Sequence, residues 1–225
     1  MKPKLKILLI GAGGVASYLL PVLHKTFDLS GMLFDKDLLE KKNLDRQLFD
    51  PKDIGKCKAE ALISHVGCKG VLPVAEFFSE DTVIEKWNTF LEADFDVIIS
   101  VADNHRARRD ALEAGDKLYI PVFTGANELT TSQAFVYYPQ WNNADQDPRV
   151  RYPEILTEDG ESPLSCQALQ ESEPQLAIAN QIASSFLLWL LWVWKDNEIF
   201  DHKAVEFQST MASIQTVTFK DCSKK

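Results

Sequence analysis

Over roughly its first 130 residues the chain alternates short apolar runs with longer amphipathic stretches. Lys6 to Ile10 is apolar and opens onto Gly11-Ala12-Gly13-Gly14, and VASYLLPVLHKTF follows with helical spacing. That order predicts a buried strand, a glycine turn and a helix. Pro21 falls inside the helix and is expected to kink it, unless the helix starts late. Gly31 to Asp37 predicts a second strand ending in acid, and a polar loop then leads into a helix around Cys57 to Val66. A third strand is expected at Gly70 to Ala75, a helix around Asp81 to Leu91, and a fourth strand at Phe95 to Val101. A helix over 102–117 and a fifth strand over 118–128 complete the series. Strands and helices alternating in this way predict an α/β fold, a Rossmann-like, doubly wound and mainly parallel sheet.

After residue 129 the pattern changes. TTSQAFVYYP is strand-like, and Gln140 to Pro163 is long, polar and proline-bearing, as expected of a mobile loop or lid. Pro174 to Lys195 reads as one long apolar helix, and Phe207 to Phe219 as one or two antiparallel strands. The expectation is a single domain over 1–225, with a nucleotide-binding half at 1–130 and an antiparallel C-terminal extension at 131–225. Asn180, Gln181, Ser184 and Ser185 interrupt the apolar helix, which therefore reads as buried and not as a membrane span. The short run before Gly11 does not make a signal peptide, and the cytoplasm is the expected compartment.

Composition narrows the chemistry. The chain has 225 residues, 24 Lys plus Arg against 33 Asp plus Glu, and a formal net charge of -9. Such an acidic surface disfavours nucleic acid as a partner, while leaving room for a local phosphate pocket. Cys57, Cys68, Cys166 and Cys222 include no CxxC pair, so neither a disulfide scaffold nor a structural zinc is expected. His24, His65, His105 and His202 are scattered and suggest no metal or general base.

The candidate chemistry begins at the glycine turn. Gly11, Gly13 and Gly14 between strand and helix let backbone N–H groups approach a phosphate. Asp35 follows about twenty residues later at a strand end, where a carboxylate can accept both ribose hydroxyls. These features suit NAD as well as ATP. The next stretch differs: Asn43, Arg46, Gln47 and Lys58 crowd just past the ribose acid. Hydride transfer has no need of two fixed cations there, whereas a triphosphate under attack by a carboxylate does, because charge builds on the phosphoryl oxygens. Taken singly, Arg46 and Lys58 are also what a solvated surface would carry, and Asn104 is what a helix N-cap would carry.

Their ordered set carries a resemblance. Asp35-Lys36-Asp37, Asn43-Leu44-Asp45-Arg46-Gln47, Ile54-Gly55-Lys56-Cys57-Lys58 and Ala102-Asp103-Asn104 together resemble the ThiF/MoeB and ubiquitin-activating superfamily over about residues 5 to 130. The resemblance implies ATP-dependent adenylation of the C-terminal glycine carboxylate of a ubiquitin-like or sulfur-carrier protein. It implies that Gly11, Gly13 and Gly14 approach the nucleotide and that Asp35, with Asp37 beside it, holds the ribose. Asn43, Arg46, Gln47 and Lys58 would hold the phosphates, and Asp103 would position Mg²⁺, with Asn104 supporting that loop. A homo- or heterodimer and a conjugating-enzyme-like partner are also implied. Arg108 lies where relatives often carry an arginine; otherwise Arg106, Arg108 and Arg109 read together as a solvated face.

Three departures accompany the likeness. Only Lys2, Lys4 and Lys6 stand ahead of the first strand, so any arginine reaching into a partner's site is expected to come from elsewhere or from a partner protein. The two CxxC pairs of many bacterial relatives are missing. Ser165-Cys166-Gln167 sits just before the helix at Pro174, where some non-standard ubiquitin-like activators carry a thioester cysteine. A thiolate near a helix N-terminus is a better nucleophile, so Cys166 is the candidate acceptor; a structural cysteine is the other reading. The 163–191 stretch is similar to small zinc-less ThiF-like proteins of bacterial plasmid and mobile-element clusters. The alternative function is a catalytically reduced homologue that binds nucleotide as a partner or regulatory subunit. Trp189, Trp192 and Trp194 at helical spacing indicate core packing or a subunit interface.

Overall fold

The computed structural model describes residues 2–79, 82, 94–128, 131–139, 147–157, 176–196, 204–210 and 213–219. The helix expected at Asp81 to Leu91, most of the 140–163 loop, and Cys166 and Cys222 lie outside the described residues. Among the described residues, eight strands form one sheet in the order β3-β2-β1-β4-β5-β6-β7-β8. They are β1 (Lys4–Ile10), β2 (Asp28–Phe34), β3 (Val71–Val74), β4 (Val97–Ser100), β5 (Val122–Glu128), β6 (Thr131–Tyr137), β7 (Ala204–Thr210) and β8 (Ser213–Phe219). The first five run parallel, and β6 to β8 join antiparallel. This is the doubly wound parallel sheet with an antiparallel extension that the pattern predicts.

Apolar residues run continuously over Ile7–Ile10 of β1 because both faces of the sheet are covered there. Leu5, Ile7 and Leu9 point to one side with Val97 and Ile99 of β4, under helices α1 (Gly14–Thr26), α2 (Lys58–Val66) and the long C-terminal helix. Leu8 and Ile10 point to the other side with Ile98, under α3 (His105–Leu118), where Ala107, Ala111 and Leu112 form the seam. Pro73 is tolerated in β3 because that strand is the sheet edge. α1 runs unbroken through Pro21, which only deprives the Ser17 carbonyl of its partner N–H.

Residues 147–157, placed by the sequence pattern in a mobile loop, are instead compact. Pro148–Arg151 forms a short helix, α4, followed by a 3₁₀ turn at Pro153–Leu156. The cause is one buried-edge network. Arg149 bonds Asp147 at 2.8 and 2.9 Å, Asp116 of α3 at 2.7 Å and the Tyr137 hydroxyl at 3.0 Å, while Tyr137 donates to Asp116. Burial alone would lower the Arg149 pKa, but the two carboxylates outweigh it and hold the guanidinium charged. Polarity in this stretch serves a tertiary clamp, which composition could not distinguish from solvation.

Helix α5 (Ala177–Lys195) packs against α1, β5 and β6 through Ala183, Leu187, Leu190 and Leu191. By length and composition it could cross a membrane. One side is committed to the sheet, and the opposite side leaves Ile178, Trp189 and Trp192 exposed. Trp194 packs edge-on against Phe123, with ring centroids 5.6 Å apart. The tryptophan set thus divides between core and surface.

Candidate functional site at the carboxyl edge of the sheet

The chain turns from β3 back across the sheet to β4, so β1 lies between β2 and β4. Ligand crevices in open α/β sheets form at this reversal, outside the carboxyl ends of the strands. Ile10 is in register with Phe34 of β2 and Ser100 of β4, so the three segments that follow leave the sheet side by side. They are the glycine turn, Asp35-Lys36-Asp37 and Ala102-Asp103-Asn104.

The glycine turn is fixed from both sides. Gly11 donates to the Phe34 carbonyl at 2.9 Å and has φ of +95°, a conformation only glycine adopts cheaply. A Cβ there would come within 3.0 Å of the Ala102 nitrogen, so the turn lies directly against the segment carrying Asp103. Gly13 caps α1, and no atom lies within 4 Å of where its Cβ would be. That leaves the start of α1, with its unpaired N–H groups, approachable by an anion.

Asp35 is partly buried and accepts from Ala12 N–H at 2.7 Å and Asp37 N–H at 2.8 Å. One carboxylate therefore ties the end of β2 to the glycine turn, a structural task beyond the ribose contact implied by sequence. Burial raises the Asp35 carboxyl above its ordinary value; the two N–H bonds and Lys58 oppose the rise without cancelling it. An acid raised in the folded state costs stability where it is ionised, above its folded-state value. That cost is relieved as pH falls through that value toward about 3.9. Wild type should therefore gain stability relative to Asp35→Asn as pH is lowered from neutral toward about 4. Denaturant unfolding of both proteins across that range checks this, and a stability difference that moves the other way would remove the charge from the account.

The two cations come from the segment after Asp37. Lys58 is the first residue of α2, where the helix dipole disfavours positive charge. Its stem is buried, its side chain only 12% exposed, and its Nζ reaches back 3.0 Å to Asp37, which is 59% exposed. The backbone is pinned there too, by Lys58 N–H on the Asp37 carbonyl and Cys57 Sγ–H on the Asp35 carbonyl. Arg46 repeats the arrangement, 12% exposed and paired at 3.0 Å with an Asp45 that is 61% exposed. It also donates to the Lys42 carbonyl at 2.9 Å. Both cations are thus built into the protein while their counter-charges stand in water. In each pair the carboxylate is solvated and free to swing into water, so an incoming anion can take its place on the cation.

Asn43 is buried and accepts from Glu40 N–H at 2.9 Å, which shapes the 3₁₀ turn Lys41–Asn43. Gln47 is buried beside it, its N–H on the Asn43 carbonyl. In the structure these two side chains belong to the loop carrying Arg46. Asp103 is exposed. Asn104 caps α3, accepting from Ala107 N–H at 2.8 Å, and Arg108 donates back to the Ala102 carbonyl at 3.3 Å. Arg108 thereby braces the Asp103 loop and is not part of a solvated face.

Sequence reasoning missed Asn180. It is fully buried on α5, donates to the Arg46 carbonyl at 3.0 Å and accepts from Asn127 of β5 at 2.9 Å. Ser17 was missed as well: buried on α1, it accepts from Leu48 N–H at 3.0 Å and docks the Arg46 loop from the other side. The available signal for Asn180 was an amide inside an apolar helix, which sequence reading used only against a membrane span.

Comparison with known proteins gives a consistent picture. The sequence profile of the ThiF family matches residues 3–223. The chain is 32% identical over 154 residues to the NEDD8-activating enzyme E1 catalytic subunit of Caenorhabditis elegans, covering 60% of this chain and 34% of that one. It is 34% identical over 106 residues to the SUMO-activating enzyme subunit uba-2 of the same organism, covering 46% and 18%. It therefore spans about a third or less of the length of these curated relatives. Among solved structures, E. coli MccB with AMPCPP and MccA superposes with a TM-score of 0.71 at 16% identity, over 96% of this chain and 63% of that chain. PaaA superposes with a TM-score of 0.63 at 19% identity, over 96% and 72%. At such identities the likeness is one of fold.

Proposed function

The chain belongs to the ThiF family, and on that premise we propose that it adenylates a carboxylate at the C-terminus of a ubiquitin-like or carrier protein. The observation that carries the proposal is the pair of built-in cations, Lys58 and Arg46, beside a glycine turn locked by Asp35. The names of the relatives, activating enzymes for NEDD8 and SUMO, support a ubiquitin-like substrate. In the proposed reaction a carboxylate oxygen attacks the α-phosphorus of ATP. The bond to the bridging oxygen breaks, pyrophosphate leaves and an acyl adenylate forms. No side-chain base is required, because the attacking carboxylate is already ionised near neutral pH.

Each residue then has a defined task. Asp35 accepts from the ribose hydroxyls while holding the turn, with Asp37 beside it as the resting partner of Lys58. The N–H groups at Gly13 and Gly14 face the phosphates. Arg46 and Lys58 exchange their exposed carboxylates for phosphoryl oxygens, with Asn43 and Gln47 supporting the loop. Preorganised charge of this kind stabilises the transition state without reorganisation during reaction. Among the described residues no group of three or more acidic, histidine or cysteine side chains could hold a metal unaided. One carboxylate completed by substrate phosphates is, however, an ordinary magnesium donor set. Asp103 fits Mg²⁺ in that shared way, where the ion would offset phosphoryl charge.

Calorimetric titration is the direct test. ATP with Mg²⁺ is expected to bind and NAD to bind little; a preference for NAD would overturn the proposal. Pyrophosphate exchange driven by the cognate carrier protein tests the chemistry, and ATP binding without exchange would favour a nucleotide-binding partner subunit. For the onward step we propose that the Cys166 thiolate attacks the acyl carbon of the adenylate, so that the acyl–phosphate bond breaks, AMP leaves and a thioester forms. A thiol-labile adduct with the carrier should form in wild type and not in Cys166→Ala, with exchange unchanged; an adduct that persists would make Cys166 structural.

A further inference from the structure

We propose that Asn180, contributed by the C-terminal half of the chain, is a positioning residue of the nucleotide site, holding the glycine turn and the Arg46 loop in one fixed relation. The inference rests on the adenylation reading and assigns the phosphate half of that site its support. Asn180 is fully buried, and three segments meet on its carboxamide. The Arg46 carbonyl can only accept, so Asn180 Nδ2 faces it at 3.0 Å; Oδ1 is left to receive Asn127 Nδ2–H at 2.9 Å. The flat amide lies against Gly14, with Oδ1, Nδ2 and Cγ between 2.3 and 2.5 Å from where a Gly14 Cβ would stand. Gly14 is the first residue of α1, whose N–H groups face the phosphates in the proposed site.

The support is itself anchored. Asn127 and Ser132 are cross-strand partners in the β5–β6 hairpin, and Ser132 donates to the Ala179 carbonyl at 2.7 Å. The hairpin thus grips two successive residues of α5, its backbone at Ala179 and its side chain at Asn180. A buried amide held on both polar atoms cannot drift without leaving groups unpaired, which fixes the spacing between Gly14 and Arg46. Asp35, on the ribose side, is held by the Ala12 and Asp37 N–H groups and, among the described residues, makes no bond to Asn180, Asn127 or the Arg46 loop. Asn180 should therefore govern phosphate binding and leave nucleoside binding alone.

Calorimetric titration of wild type, Asn180→Ala and Asn127→Ala with Mg-ATP and with adenosine tests this. Asn180→Ala should weaken ATP about tenfold and leave adenosine within about twofold, as expected for unpairing buried polar groups on one side of a site. Asn127→Ala, which keeps Asn180 in place, should shift ATP in the same direction by less and carries the test if Asn180→Ala does not fold. Combining Gly14→Ala with Asn180→Ala should bind ATP better than Gly14→Ala alone, because the collision is gone. Unchanged ATP affinity in both single variants would overturn the inference, as would parallel loss of ATP and adenosine tracking a fall in melting temperature. Failure of wild type to bind ATP would instead reject the adenylation reading, and this inference with it.

Discussion

Lys58→Ala is expected to lower pyrophosphate exchange by on the order of 10²- to 10³-fold, the usual cost of removing one preorganised charge from a transition state. Stability should fall only modestly, through the loss of the buried stem, while the charge itself contributes little. Lys58 opens α2, so its charge opposes the helix dipole and removing it favours the helix. Its partner Asp37 is 59% exposed, and such pairs contribute about 0–1 kcal/mol. These two effects are small and of opposite sign. A lysine whose charge stability does not require, placed where a helix disfavours it, is what the proposed phosphate contact would account for. Exchange kinetics set beside denaturant unfolding separate the cases. Activity within a few-fold of wild type would take Lys58 out of the phosphate site.

The legible part of this molecule was whatever local sequence alone determines. Continuous apolar runs at β1 and β4 meant strands covered on both faces, and the glycines after Ile10 meant a turn into a helix. The order of Asp35, Asn43, Arg46, Lys58 and Asp103 along the chain was legible too, and the register of Ile10 with Phe34 and Ser100 brings their segments to one sheet edge. What was hidden depends on contacts between distant positions. Asn180 lies 134 residues from the Arg46 carbonyl it bonds. Asp116, Tyr137 and Arg149 come from α3, β6 and α4, and their network turns a polar, proline-bearing segment into compact structure. Composition scored that segment as solvated because charged residues look alike whether they face water or each other. Asp35 shows the same limit within the site: its spacing announced a ribose ligand, while its bond to Ala12 N–H was visible only in three dimensions.

Gly31→Ala should be severely damaging to stability, although sequence marks Gly31 as no more than the opening of a strand. The residue lies inside β2, paired with Ile7 of β1 on one side and Val71 of β3 on the other, and its N–H donates to the Gly70 carbonyl at 3.0 Å. Its φ is +134°, a backbone that side chains rarely adopt. A Cβ would stand 1.9 Å from the Ile7 carbonyl oxygen and 2.8 Å from the carbon behind it. The obstacle is backbone of a central strand, which cannot turn aside as a side chain can, and β1 leads directly into the glycine turn. Relief means separating two paired strands under the core, a loss of about 4 kcal/mol or more against a typical total of about 5–15 kcal/mol. Gly13→Ala supplies the contrast: at Gly13 φ is −83° and no atom lies within 4 Å of the added methyl, so the variant should fold within about 1 kcal/mol of wild type. Denaturant unfolding of the two variants reads the difference. A Gly31→Ala protein as stable as Gly13→Ala would mean that β1 and β2 do not pair as closely as their register requires.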